Sequence, residues 1–339
     1  MPGRRSVLLA AAALAAGAAR AQTRPPPRPA SPWAATADAA AGFEQLRALV
    51  IARRGQVDLA EAFRGPAVST PVNVKSVSKT FVAALTGAAL DGGDLPGLDA
   101  TLGQVAPGLI PATADPRVAD ITVADLVTMQ AGLERTSGAA YGEWVSSPNW
   151  VADALARPLV RQPGSGMLYS TGSIHVLGAV LATVTGQSLL AQARERLGAP
   201  LDIEIPAWTR DPQGFYLGGN EMALSPLALV RFGELYRQAG RAGGRQVLSA
   251  DWVAASLEPR TRSPFSGLDY GYGWFLGQTR GHAFALARGY GGQLVCVVPD
   301  LELTVAITSD PTLPARGEGY FGDLMRLLTG TIVPAAEAA

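Results

Sequence analysis

Near the carboxy-terminal end, Leu301, Leu303, Val305 and Ile307 alternate with Glu302, Thr304, Ala306 and Thr308. A period of two predicts a strand with one buried face. The run Leu294 to Val298 is wholly apolar, and Pro299-Asp300 separates it from the alternating stretch. Together they predict an antiparallel hairpin. Leu46 to Ala52 and Gln56 to Phe63 read as two further strands, turning at Arg54-Gly55.

The middle of the chain has helical spacing instead. Thr80 to Leu90 is almost entirely apolar and stops at Gly92-Gly93, which predicts a buried helix. Thr122-Val123-Ala124-Asp125 fits a capping box, with Gly132 as the expected end of that helix. Ile174, Leu177, Leu181 and Val184 share one helix face, stopped by Gly186. Ser225-Pro226 is an N-cap followed by proline at the first helical position, opening a helix to about Gln238. Strands at both ends and helices between them predict an α/β (α+β) fold. An antiparallel sheet built from both chain ends would be flanked by helices, with an all-helical lobe inserted. The expected limits are 43–75 and 206–335 for the sheet lobe and 76–205 for the helical lobe. A site is expected in the cleft between them.

Composition narrows the possibilities. The apolar share of 48% is too high for a disordered chain. Equal numbers of basic and acidic residues, 28 each, argue against a nucleic-acid partner. The single cysteine, Cys296, excludes an intrachain disulfide. With only His175 and His282 beside it, it argues against a structural zinc site, though a carboxylate-only site stays open. Arg4-Arg5, the apolar run Val7 to Ala19 and Ala19-Arg20-Ala21 form the three regions of an export signal over 1–21. The run is too short and alanine-rich for a good membrane span, so no stable membrane insertion is expected after cleavage. Arg4-Arg5-Ser6 also fits a twin-arginine motif. Residues 22–42 read as a proline-rich linker, and the location expected is periplasmic or secreted.

The lysines carry the chemical clue. Of 28 basic residues only Lys75 and Lys79 are lysines, in one short stretch. Arginine serves everywhere else, so a retained lysine suggests chemistry that needs a removable proton. Ser76-Val77-Ser78-Lys79 is an S-x-x-K pattern, which puts Ser76 and Lys79 on one face of a helix starting near Ser76. There the serine would be a nucleophile, and a desolvated Lys79 its base. The bland alternative is a surface lysine, which suits Lys75 better because no partner spacing selects it. Tyr169 sits on a tight turn before a long apolar helix. Ala287-Arg288-Gly289-Tyr290-Gly291-Gly292 enters the strand Leu294 to Val298, and its glycines would let a ligand approach the backbone.

In this order the segments resemble the penicillin-recognising serine hydrolases: class C β-lactamases, DD-peptidases, and their esterase and 6-aminohexanoate-dimer hydrolase relatives. Val74 to Phe81 is similar to the S-x-x-K helix, Asp125 to Leu133 to the L-L-T-M-x-S-G-L segment, and Tyr169-Ser170-Thr171 to Y-x-N. Gly218-Gly219-Asn220 with Ser225-Pro226 and Arg231-Phe232-Gly233 is similar to a later helix. Gly289 to Asp300 resembles the last active-site strand and hairpin. The resemblance spans about Phe43 to Leu328.

It implies a Ser76 acyl-enzyme, with Lys79 and Tyr169 sharing base and acid roles and the tyrosine made more acidic by the ammonium. The backbone N–H groups of Ser76 and Tyr290 would form the oxyanion hole. Thr171, Arg288, Gly289 and Gly291 would contact substrate, and no cofactor or metal is called for. The family's K-T-G is Ala287-Arg288-Gly289 here, so its lysine is missing and Arg288 should point to the opposite strand face. The asparagine of Y-x-N is Thr171. These departures favour an ester or small amide as substrate over a β-lactam. A β-lactamase or DD-peptidase, and a non-catalytic ligand-binding module on the same fold, are the alternatives. An α/β-hydrolase is excluded because no G-x-S-x-G occurs. A P-loop is excluded because neither lysine follows glycine. His175 reads as structural, and His282 as a weaker candidate for the cleft rim. Trp144, Trp150, Tyr216 and Trp274 are candidate pocket walls.

Overall fold

Eight strands form one antiparallel sheet in the computed structural model, which describes residues 32–317 and 319–338. Across the sheet they run Gln56–Ala62, Leu46–Arg53, Leu303–Ser309, Gln293–Val298, His282–Gly289, Phe275–Thr279, Asp269–Tyr270 and Thr261–Arg262. The first and last long strands of the chain therefore lie side by side, second and third across the sheet, with Ile51 opposite Val305. Arg54 and Gly55 turn the first hairpin with φ of 50° and 80°. Arg280 and Gly281 do the same in a later one, at 52° and 86°. Positive φ at both positions gives a two-residue turn whose twist matches that of the strands.

The alternating strand Leu303–Ser309 departs from expectation, because all seven residues are buried. Its polar face meets a helix rather than water. The helix Pro226–Arg237 lies across it, and the Thr304 hydroxyl donates to Glu234 at 2.6 Å. A Cβ on Gly233 would collide with Thr304, so glycine sets this close approach. Small polar residues with satisfied hydroxyls can be buried at little cost.

The helix Ser78–Asp91 runs through the centre and is buried on nearly every face. Phe81 stacks on Phe232 with centroids 3.8 Å apart, which ties this helix to Pro226–Arg237. The helix Thr171–Thr185 packs beside it and ends at Gly186 in the left-handed region, as the spacing predicted. The capping box of Thr122 and Asp125 is present, but its helix is only Val123–Val127. It stops short of Gly132 because Met129 turns to φ 63°.

The linker expected over 22–42 is corrected in its later part. Ala34–Ala41 is a helix, and Trp33 and Ala40 are fully buried in the core. The prolines cease at Pro32, and an alanine-rich segment anchored by a tryptophan has the propensity and apolar surface to fold. The export-signal reading falls on residues outside those described.

Candidate active site

Local strain sets the nucleophile. Lys75 has φ 51°, a left-handed conformation that costs a non-glycine residue about 1–2 kcal/mol. Three contacts enforce it. Asn73 Oδ1 accepts the Lys75 N–H at 2.9 Å, the Ser78 hydroxyl donates to the Lys75 carbonyl at 2.6 Å, and the Met222 N–H donates to Ser78 Oγ at 3.2 Å. The chain then makes one 3₁₀ turn, Lys75–Val77, before the α-helix starts at Ser78. Ser76 thus sits in that turn, just ahead of the helix in which sequence placed it.

Lys79 lies on the next turn, 2% exposed. Its Nζ donates to Ser76 Oγ at 2.9 Å, to Thr171 Oγ1 at 3.2 Å and to the Gly219 carbonyl at 2.5 Å. Burial pushes its pKa down from 10.5 to about 7, so near neutral pH the amine is free to accept a proton much of the time. Tyr169 is its neighbour, with Nζ 5.0 Å from the ring centroid. Burial raises the Tyr169 pKa, and the nearby Ser76 hydroxyl and Arg288 only partly oppose it. This corrects the expectation of a more acidic tyrosine: Tyr169 is held protonated.

Thr171 lines the cavity. Its hydroxyl is engaged by Lys79 and by Ser137 Oγ at 2.9 Å, and its N–H donates to Ser137 at 2.8 Å. Its hydroxyl thus helps hold the lysine at the cavity wall.

The strand His282–Gly289 closes the other side. A Cβ on Gly289 would collide with the Val74 carbonyl, so glycine lets the strand end touch the nucleophile turn. Tyr290 follows, beside Ser76 on the cavity wall. Gly291 does not contact the cavity. Its φ is 80° and it abuts the Asp310 carbonyl, so its glycine serves the turn and not a substrate. Arg288, expected on the strand face opposite the family's lysine, has its side chain on the cavity wall, where its guanidinium lies against Phe275 and Phe321.

The cavity has a volume of about 520 Å³. It brings together Ser76, Tyr169, Thr171, Arg288, Gly289 and Tyr290, with Lys79 just beneath. Sequence reasoning missed Tyr141, Ser137, Asn220, Glu221, Phe265 and Phe275, which also line it. Lys75 proves not to be an idle surface lysine: it lines the cavity and pairs with Glu221 at 2.9 Å. No spacing signals a partner 146 residues away. The expected aromatic walls lie elsewhere. Trp144 and Trp150 pack on His175, Trp274 stacks on Phe232, and Tyr216 lies against Trp208. His282 is held by Asp300 at 2.6 Å and Glu337 at 3.2 Å, at the strand end remote from Gly289. Its pKa is raised, chiefly by the hydrogen bond to Asp300.

His175 is fully buried and structural, as read, but it supports the site. Its Nδ1 accepts the Gly218 N–H at 3.3 Å, and its Nε2 faces Asp211 at 3.1 Å. That pair fixes the turn whose next carbonyl, on Gly219, holds Lys79.

A family model described as Beta-lactamase matches residues 40–322. No curated protein matches the chain. Among solved structures, a provisionally assigned 6-aminohexanoate-dimer hydrolase from Bacillus anthracis superposes with a TM-score of 0.73 at 17% identity, over 87% of this chain and 79% of that one. EstCE1, described as a hydrolase with promiscuous acyltransferase activity, gives 0.69 at 20% identity, over 85% and 92%. A penicillin-binding protein homologue from Caulobacter crescentus gives 0.70 at 17% identity, over 88% and 97%. At these identities the structures establish a shared fold.

Proposed function

Because the chain belongs to the β-lactamase family of serine hydrolases, we propose that it hydrolyses an ester or small amide through an acyl-enzyme on Ser76. The observation that carries this reading is the 2.9 Å contact between Lys79 Nζ and Ser76 Oγ, made by a lysine whose pKa is pushed down to about 7. Lys79 takes the serine proton as Oγ attacks the substrate carbonyl. The oxyanion forms between the backbone N–H groups of Ser76 and Tyr290, each of which contributes about 3–4 kcal/mol to lowering the barrier. Tyr169, kept protonated by burial, donates to the leaving group and is recharged from Lys79. Water then attacks the acyl-enzyme with the roles reversed.

Ala287 offers no cation where the family's third motif has lysine, which favours ester or amide substrates over β-lactams. Export rests on residues 1–21, and sequencing of the exported protein would find Gln22 at its amino terminus.

The decisive experiment is hydrolysis of p-nitrophenyl acyl esters, with butyrate first, by wild type and Ser76→Ala. Turnover by wild type alone, with a burst of p-nitrophenol equal to the enzyme present, supports the acyl-enzyme. Equal rates in both proteins would remove Ser76 from the mechanism. A nitrocefin assay in parallel tests the β-lactamase alternative.

A further inference from the structure

Phe265 is 71% exposed, more than any other large hydrophobic side chain among the described residues, and Tyr290 is 54% exposed. Both line the catalytic cavity. A side chain that borders a cavity and is still mostly in water stands at its rim. Phe265 is also held there. Ser263 Oγ accepts the N–H groups of Phe265 at 3.4 Å and Ser266 at 3.3 Å, and the Gly267 N–H donates to the Ser263 carbonyl at 3.0 Å. The Arg135 guanidinium lies 5.1 Å from the ring centroid. A tight turn and a cation thus keep a phenyl ring in water, where apolar surface is unfavourable until a ligand covers it.

The apolar wall continues inward. Phe265 lies in the loop between strands Thr261–Arg262 and Asp269–Tyr270, and Phe275 opens the next strand of the sheet. Phe275 lines the same cavity and stacks near Tyr169 with centroids 6.4 Å apart. Tyr169 is the group assigned to protonate the leaving group, so this wall lies on the leaving-group side of Ser76. Pro311 and Ala315 add to it from a segment anchored at Asp310, whose carboxylate meets Arg47 at 2.5 Å and accepts the Thr312 N–H at 2.9 Å. The cavity volume of about 520 Å³ is that of a site enclosing a drug-sized ligand, and a small alkoxide would leave most of it empty.

We propose that the substrate's leaving group is a bulky apolar alcohol or amine, which Phe275 receives inside the cavity and Phe265 covers at the rim. This inference rests on the Ser76 acyl-enzyme reading and names the leaving group that the reading leaves open. The acyl C–O or C–N bond breaks, the departing oxygen or nitrogen takes the Tyr169 proton, and Ser76 keeps the acyl group until water removes it.

The test uses acetate esters of straight-chain alcohols, in which the apolar surface of the leaving group grows while its chemistry hardly changes. Acetic acid released from dissolved ethyl or hexyl acetate is titrated at constant pH. A fully buried methylene is worth about fourfold in kcat/KM, and one half buried at a rim about twofold. Hexyl acetate is therefore expected to exceed ethyl acetate about fivefold or more, and a smaller ratio overturns the proposal. Phe265→Ser should cut that ratio about threefold or more, whereas Phe265→Leu should keep most of it. A ratio that survives Phe265→Ser overturns the proposal; if that variant also dissociates a wild-type dimer, the rim belongs to a second copy instead. An equal or steeper rise from p-nitrophenyl acetate to p-nitrophenyl hexanoate would put the apolar group on the acyl side and overturns it as well. Absence of all turnover would sink the hydrolase reading, so the second measurement is calorimetric titration of Ser76→Ala with hexyl acetate. Saturable binding that weakens about threefold or more in Ser76→Ala/Phe265→Ser supports the apolar site. Binding that is absent, or unchanged in the double variant, overturns it.

Discussion

Replacing Lys79 by methionine should abolish activity and stabilise the fold, with the gain depending on pH. Lys79 is 2% exposed and its pKa falls from 10.5 unfolded to about 7 folded. At about 1.4 kcal/mol per pH unit, this depression costs the native state about 5 kcal/mol below pH 7, where the lysine is charged in both states. Between pH 7 and 10.5 the unfolded chain binds the extra proton, so wild-type stability rises with pH through that window. Above 10.5 the cost is gone. Methionine has similar length and no charge, but it leaves the Gly219 carbonyl and the Thr171 hydroxyl without their donor. That returns about 1–3 kcal/mol. The expected net is a variant about 2–4 kcal/mol more stable than wild type at pH 6 and near parity at pH 9. Urea unfolding of both proteins, followed by tryptophan fluorescence at the two pH values, reads the difference directly. A stability gap that is the same at pH 6 and 9, or a less stable variant at pH 6, would refute the claim that burial neutralises Lys79.

Other outcomes follow from the same geometry. The kcat/KM for p-nitrophenyl butyrate should fall about tenfold per unit below pH 7, because the base must be neutral to act; an acid limb near pH 5 would point to a carboxylate instead. Gly289→Ala should lose most activity and about 1–3 kcal/mol of stability, because the added Cβ must push the strand from the Val74 carbonyl; a fully active variant with unchanged urea midpoint would contradict that contact. His175→Ala should cost about 1–3 kcal/mol by removing one of the three hydrogen-bond partners of the buried Asp211, and should lower kcat at temperatures where the variant is still folded; an unchanged kcat would limit the pair to stability.

Several fold elements were legible because their signals are local. The turn at Arg54-Gly55, the capping box at Thr122, the N-cap Ser225 and the stop at Gly186 are each dictated by a few neighbouring dihedrals and hydrogen bonds. The spacing of Ser76 and Lys79 was readable for the same reason, since one helical turn brings them together. Their roles were visible as candidates because lysine is so scarce in this chain.

What sequence by itself determined is thus the order of elements, the mixed fold with an antiparallel sheet and helices, and the serine–lysine pair. The tertiary structure decided the rest. It paired Lys75 with Glu221, turned Thr171 toward Lys79, withdrew Gly291 and the four expected aromatics from the cavity, and left Arg288 open to it. It also covered the polar face of Leu303–Ser309 with a helix. Each of these depends on groups far apart in the chain, so no period or motif encodes them. They follow from which faces a packed core brings within a few ångströms, and that is settled by the whole chain burying its apolar surface at once.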